Sequence, residues 1–109
     1  LYNHIRSKNE ILESICFAVA NRFNTYFDEV ETGGGTALEK VQTILRFHIQ
    51  QMIENHEEVI VSDREWKHLD EPYLSNFHNQ RRNYRKRFTT LIEDGIKKGE
   101  IKTIDAPTA

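Results

Sequence analysis

The sequence predicts an all-α protein built as a bundle of amphipathic helices. Apolar residues recur at steps of three and four along long stretches of the chain, as they do on the buried face of a helix. Two Ser/Thr-x-x-Glu patterns stand directly before such stretches and are typical helix starts. Helix breakers are few, 5 glycines and 2 prolines, and no extended apolar–polar alternation indicates a strand.

The first helix is predicted over residues 8–31. Ser7 followed by Glu10 forms a capping box, in which each residue's side chain bonds the other's backbone N–H. The run Gly33-Gly34-Gly35 has no helical preference and is expected to form a loop. The apolar stripe of this helix comprises Ile11, Leu12, Ile15, Cys16, Val19, Phe23, Tyr26, Phe27 and Val30.

The second helix is predicted over residues 36–55, with a capping box formed by Thr36 and Glu39. Asn55 is expected to end it, because asparagine tolerates the left-handed conformation common at helix C-termini. Its predicted buried face comprises Leu38, Val41, Ile44, Leu45, His48, Ile49, Met52 and Ile53.

The third helix is predicted over about residues 57–68. Val59, Ile60 and Val61 are consecutive β-branched residues, so a strand is possible locally. A short helix is favoured because the chain offers no partner strand. Trp66 and Leu69 are then expected to pack inward near its end.

The fourth helix is predicted over residues 70–98. Asp70 is the expected cap, and Glu71 and Pro72 suit the first turn. Lys97, Lys98 and Gly99 form a typical ending, with cations at the negative helix end followed by a residue that can turn left-handed. The stripe of this helix comprises Leu74, Phe77, Arg81, Tyr84, Phe88, Leu91, Ile92, Gly95 and Ile96.

Composition excludes several classes of protein. The net charge of the 109 residues is −2, so the chain as a whole is not a polycation built for nucleic acid. One cysteine excludes an internal disulfide framework and fits a reducing compartment. No apolar run approaches the roughly 18 residues of a membrane span. A start without Met and a helix-start signal at residues 105–107 predict a piece of a longer protein; the alternative is a complete small domain with trimmed termini.

The order Leu1-Tyr2-x-His4-Ile5-x-Ser7-Lys8-x-x-Ile11-Leu12 resembles the junction between two domains in tetracycline-repressor-type (TetR-family) transcription regulators. In that family it marks the end of the recognition helix and the start of the fourth helix. Ile5 replaces the usual Phe and Ile11 the usual Leu, and both keep an apolar anchor. The resemblance implies that residues 1–7 end a helix-turn-helix DNA-binding domain. Residues 8–109 would then be a helical regulatory domain of the TetR C-terminal type, entered through a connecting helix over 8–31.

The resemblance further implies a ligand-responsive regulator without enzymatic activity or cofactor. It would act in the cytoplasm as a homodimer on operator DNA, as a repressor released by a small apolar or acyl-type effector. The alternative is a helical interaction or scaffold domain that binds neither DNA nor a ligand. A helical-bundle metalloprotein enzyme is a more distant possibility.

Three residues are candidates for contacts to the DNA backbone. By the resemblance, Tyr2 and Lys8 would contact phosphates, and His4 would assist. Lys8 also stands at a helix N-terminus, where free N–H groups and the helix dipole attract phosphate. The alternative is that Tyr2 and His4 cover the junction between two domains. Base-reading residues are expected before Leu1.

Polar or polarizable groups on the apolar faces are candidates for the wall of an effector pocket. Each residue alone is more often an ordinary core residue with its polar tip satisfied locally, and it is as a set that they indicate a pocket wall. Arg81 could bind an anionic ligand group. The favoured alternative is a structural role, in which it pairs with Glu57, Glu58 or Asp63 or extends its charged end into solvent. The candidates are Cys16, His48, Met52, Trp66, Arg81 and Tyr84.

A basic run in the fourth helix spreads around the helix, so a solvated, salt-bridged face is expected, with a phosphate-binding patch as the alternative. The run comprises Arg81, Arg82, Arg85, Lys86 and Arg87. The five histidines, among them His56, His68 and His78, share no i, i+4 spacing, so no metal site is predicted. No catalytic Ser/His/Asp or Cys/His spacing is present.

Overall fold

The computed structural model describes residues 7–102 as four α-helices and one short 3₁₀ turn. No strand occurs among these residues, and the prediction of an all-α fold is confirmed. Predictions for Tyr2, His4 and residues 103–109 lie outside the described residues. The elements are α1 (Lys8–Thr32), α2 (Ala37–Glu54), α3 (His56–Glu65), the 3₁₀ turn (Trp66–His68) and α4 (Tyr73–Lys97).

Both predicted capping boxes are present. The Ser7 hydroxyl accepts from the Glu10 N–H at 3.1 Å, and the Ser7 N–H donates to Glu10 Oε1 at 3.0 Å. The corresponding distances between Thr36 and Glu39 are 3.1 and 2.8 Å. Each box satisfies N–H groups that the first helical turn would otherwise leave without a partner, and so fixes where α1 and α2 begin.

The junction between α2 and α3 is a single residue, Asn55. Its φ of −125° is not left-handed, so the predicted conformation is wrong although the helix does end there. The Asn55 N–H donates to the Gln51 carbonyl at 2.8 Å, and its side-chain amide donates to Gln51 Oε1 at 2.9 Å. Val59, Ile60 and Val61 are helical, as predicted, and α3 passes into the 3₁₀ turn after Glu65.

The start of α4 differs from the prediction. The helix begins at Tyr73 rather than at Asp70. The Asp70 carboxylate does not cap it and instead accepts from Asn9 Nδ2 of α1 at 2.5 Å. Glu71 serves the first turn instead and accepts from the Ser75 N–H at 3.0 Å. The C-terminal end agrees with the prediction, since Gly99 follows the helix with a left-handed φ of 77°.

The core lies where α1 packs against α2, α3 and α4. Its fully buried side chains include Phe27 and Ile44. A second cluster surrounds the 3₁₀ turn and comprises Cys16, Trp66, Leu69 and Phe77, so the inward packing predicted for Trp66 and Leu69 is confirmed. None of the helices within residues 7–102 combines the length and the apolar character of a membrane span.

The buried face predicted for α2 is wrong in part. Val41 and Ile44 are buried as predicted, but Ile53 is 75 % exposed, and Gln51, which was not part of the predicted face, is buried. The reason is that the described helices pack on one side of α2 only, and the predicted stripe is wider than that contact. Ile11 of α1, also predicted to be buried, is exposed as well. The other exposed apolar residues of α2 are Leu45, Ile49 and Met52.

Candidate ligand-binding cavity

A cavity of about 340 Å³ lies among the four helices. Its volume falls at the lower end of the range of roughly 300–1,000 Å³ for small-molecule sites. α1 contributes four residues, α2 one, α3 three and α4 six. They are Val19, Ala20, Phe23, Asn24, His48, Val59, Ser62, Asp63, Phe77, Gln80, Arg81, Tyr84, Arg85 and Phe88.

Part of the wall consists of aromatic rings that hold one another. Phe23 packs edge-on against Tyr84, with ring centroids 6.1 Å apart, and lies 5.2 Å from the His48 ring. His48 in turn lies 6.0 Å from Phe88. Contacts of this kind fix ring orientations beyond what burial alone does. This part of the cavity is therefore preformed and apolar, and it suits the body of an apolar ligand.

One polar pair, His48 and Tyr84, interrupts the aromatic wall, with His48 Nε2 and the Tyr84 hydroxyl 2.7 Å apart. Burial lowers the pKa of His48 and raises the pKa of Tyr84 to about 12, so both are neutral near pH 7. With the imidazole proton on Nδ1, Tyr84 donates to His48. With it on Nε2, His48 donates, and the Tyr84 proton is left for another acceptor. The pair can thus form a hydrogen bond with either a donor or an acceptor group of a ligand.

The buried His48 makes stability depend on pH. Its folded-state pKa lies below the unfolded value of about 6.5, so the unfolded chain binds the proton more readily. The contribution of His48 to the free energy of unfolding should therefore be fully present above about pH 6.5. Below that pH the contribution should fall by up to about 1.4 kcal/mol per pH unit.

Urea unfolding of the wild type and of His48→Gln across this range measures the effect. The variant should lose this part of the pH dependence, whereas His56→Gln, at an exposed position, should keep it. Identical pH profiles for His48→Gln and the wild type would contradict the assignment.

Arg81 lines the cavity from α4 and reaches towards Asp63 of α3. Its Nη1 is 3.5 Å from Asp63 Oδ1, and its Cζ lies 5.0 Å from the centroid of the Trp66 ring. Asp63 is one of the three carboxylate partners that the sequence suggested. Its side chain is 66 % exposed, against 32 % for Arg81, so the pair is a solvated contact at the rim.

The predicted pocket residues have different positions. His48, Arg81 and Tyr84 line the cavity, whereas Cys16 and Trp66 are buried in the neighbouring core cluster. Burial raises the pKa of the Cys16 thiol, which keeps it protonated. Met52 does not line this cavity and is exposed on α2.

Several lining residues were not predicted from the sequence. Gln80 is three residues after Phe77 and four before Tyr84, so it follows the same helical spacing as the apolar stripe. Asn24 follows Phe23 directly and donates its amide to the Ala20 carbonyl at 2.8 Å. The spacing signal was available for Gln80, but the predicted stripe passes from Phe77 to Tyr84 through Arg81 and leaves Gln80 out.

The basic run of α4 is solvated in part, as expected. Arg82, Arg85 and Lys86 are exposed. Arg87 instead donates from Nη2 to Asp28 at 2.6 Å and to Glu31 at 2.7 Å. Its guanidinium also covers the Phe27 ring at 4.4 Å, which ties α4 to the C-terminal part of α1.

Lys8, the one backbone-contact candidate within residues 7–102, is exposed in the first turn of α1. Its role at DNA stays a prediction. In the same part of the chain, no group of three or more His, Cys, Asp or Glu side chains is arranged to hold a metal ion.

Comparison with known protein families gives one match. The model of the family described as "Tetracyclin repressor-like, C-terminal domain" matches residues 34–109, which is more than half of the chain. Comparisons with curated proteins and with solved structures gave no match. The family match covers α2, α3 and α4, and hence three of the four helices that line the cavity.

Proposed function

Because the chain belongs to the tetracycline repressor-like C-terminal domain family, we propose that it is the ligand-sensing part of a DNA-binding transcription regulator. The effector is a small molecule with an apolar or acyl-type body, and its binding releases a repressor from operator DNA. The regulator acts as a cytoplasmic homodimer and carries out no catalysis. The observation that carries the proposal is the preformed, largely apolar cavity with one neutral polar pair inside it.

The geometry of α1 supports a route from the cavity to DNA. Phe23 lines the cavity, and Lys8 stands in the first turn of the same helix. Fifteen residues of helix separate them, which is about 22 Å at 1.5 Å per residue. A shift of α1 caused by a ligand at Phe23 therefore reaches Lys8 through one rigid element.

α1 is attached to the rest of the bundle near both ends and in its middle. Near its start, Asn9 bonds Asp70, and near its end, Asp28 and Glu31 bond Arg87. The cavity lies against the middle of α1, where Arg22 also bonds α2 and α3. A ligand there changes contacts in the middle of the helix, and a tilt of α1 reaches Lys8 if the exposed contact between Asn9 and Asp70 rearranges.

The DNA part of the proposal is tested with Lys8→Ala in the natural full-length chain. Duplexes bound by the wild type are first selected from a random-sequence pool, and binding is then measured at several salt concentrations. Loss of one phosphate contact should weaken binding to every duplex about equally and reduce the slope of log K against log salt by about 1.

Lys86→Ala provides the matched control, because Lys86 is an exposed lysine of α4 and should leave the slope unchanged. A defect of Lys8→Ala confined to particular base sequences would contradict the phosphate role. Failure of the wild type to select any duplex would contradict the regulator itself.

A further inference from the structure

α3 and α4 line the cavity without close backbone contact to each other, and an ion pair links them. Within residues 7–102, no Cα of α3 lies within 8 Å of a Cα of α4, although both helices line the cavity. Arg81 and Asp63 meet between the two helices at 3.5 Å, which is long for a charge-assisted hydrogen bond. Since the Asp63 carboxylate is well exposed, water replaces Arg81 around it at little cost.

Arg81 is held in a way that leaves room for another anion. Its Cζ lies over the Trp66 ring at 5.0 Å, a cation–π contact that involves no hydrogen-bond acceptor. Among the described residues, Asp63 alone accepts a hydrogen bond from Arg81, and through one nitrogen only. A ligand carboxylate can accept two parallel N–H bonds of about 2.7–2.9 Å, a stronger contact than the present one.

The charges around the cavity also favour an anion. The lining contains two arginines, Arg81 and Arg85, and one carboxylate, Asp63, which gives a formal charge of +1. The remaining wall near Arg81 includes Phe77 of the same helix and Val59 of α3, both apolar. A molecule with one negative group and an apolar body fits both parts of this surface.

We propose that the cavity binds a monocarboxylic acid with an apolar body, and that its carboxylate replaces Asp63 on Arg81. The inference rests on the proposed function and adds the headgroup that the site recognises. Asp63 occupies Arg81 in the absence of ligand and so competes with the acid. Arg81 determines the preference for an acid over a neutral compound of the same shape.

Titration calorimetry on the natural full-length chain, with matched pairs of acid and amide, tests this. Suitable probes are decanoate with decanamide and cinnamate with cinnamamide. The wild type should bind one or both acids about tenfold more tightly than their amides. Arg81→Gln should remove that preference and leave amide binding within about twofold. Asp63→Asn should strengthen acid binding severalfold, because the competing charge is gone.

Arg82→Gln and Glu65→Gln are matched controls, since both residues are exposed on the same two helices and neither lines the cavity. Both should leave acid and amide affinities unchanged. Amides that bind as tightly as acids, Arg81→Gln without effect, weaker acid binding in Asp63→Asn, or no binding by either acid would each overturn the inference. The proposed function fails by a different result, namely ligands that bind the cavity without changing the affinity for DNA.

Discussion

Replacing Phe27 with alanine is expected to lower the free energy of unfolding by about 3–5 kcal/mol. Phe27 is fully buried, and its ring packs edge-on against Tyr84 at 5.2 Å and against Phe88 at 6.5 Å. The guanidinium of Arg87 covers it at 4.4 Å. The substitution loses the free energy gained by burying the ring, and it leaves a cavity between α1 and α4. Both effects lower the free energy of unfolding.

Urea denaturation at fixed pH measures this effect. Ile53→Ala is a matched control, because this apolar side chain is 75 % exposed and its truncation should change stability by less than about 0.5 kcal/mol. A loss below about 1 kcal/mol for Phe27→Ala would show that the junction of α1 and α4 is not a centre of the core. Phe88 and Tyr84 also line the ligand cavity, so the variant should weaken ligand binding together with stability.

Helix starts that depend on neighbouring residues were predictable from the sequence. The capping boxes at Ser7 and Thr36 each involve residues three apart, so the pattern contains the whole interaction. Gly99 is similar, since the residue type itself permits the left-handed turn that ends α4. Asp70 was predicted to cap α4 in the same way, but its carboxylate had two possible partners, a local backbone N–H and a distant side chain. Its bond to Asn9, 61 residues away in the chain, is not visible in any local pattern.

The sequence predicted which side of each helix faces the core, but not how much of that side is buried. Periodicity correctly placed Val41 and Ile44 on a buried side of α2. It could not say how wide the contact is, and Ile49 and Ile53 lie beyond it. The same limit applies to the cavity. Arg81 was expected to meet one of three carboxylates, and the choice of Asp63 depends on how α3 lies across from α4.

A substitution that fills the cavity should separate ligand binding from folding. Ala20 lines the cavity from α1, and Ala18 is exposed on the same helix. The indole of Ala20→Trp would occupy space that a ligand needs. Forcing a ligand past it costs about 1–3 kcal/mol in strain, which corresponds to a loss of about 5- to 150-fold in affinity. The loss should be similar for decanoate and decanamide, since the obstruction does not depend on the headgroup.

Calorimetry on Ala20→Trp and Ala18→Trp makes the comparison, with circular dichroism and thermal unfolding to confirm that both fold. Ala18→Trp adds the same side chain outside the cavity and should bind ligands as the wild type does. If Ala20→Trp does not fold, Val59→Phe can replace it, because it adds less volume to the cavity from α3. It should lower ligand affinity in the same way but by a smaller factor. α1 lines the cavity and begins at Lys8, so a ligand that cannot enter the cavity should not move α1. A folded Ala20→Trp protein should therefore stay bound to DNA when ligand is added. Release of DNA by ligand at the wild-type concentration would mean that the effector acts from another site.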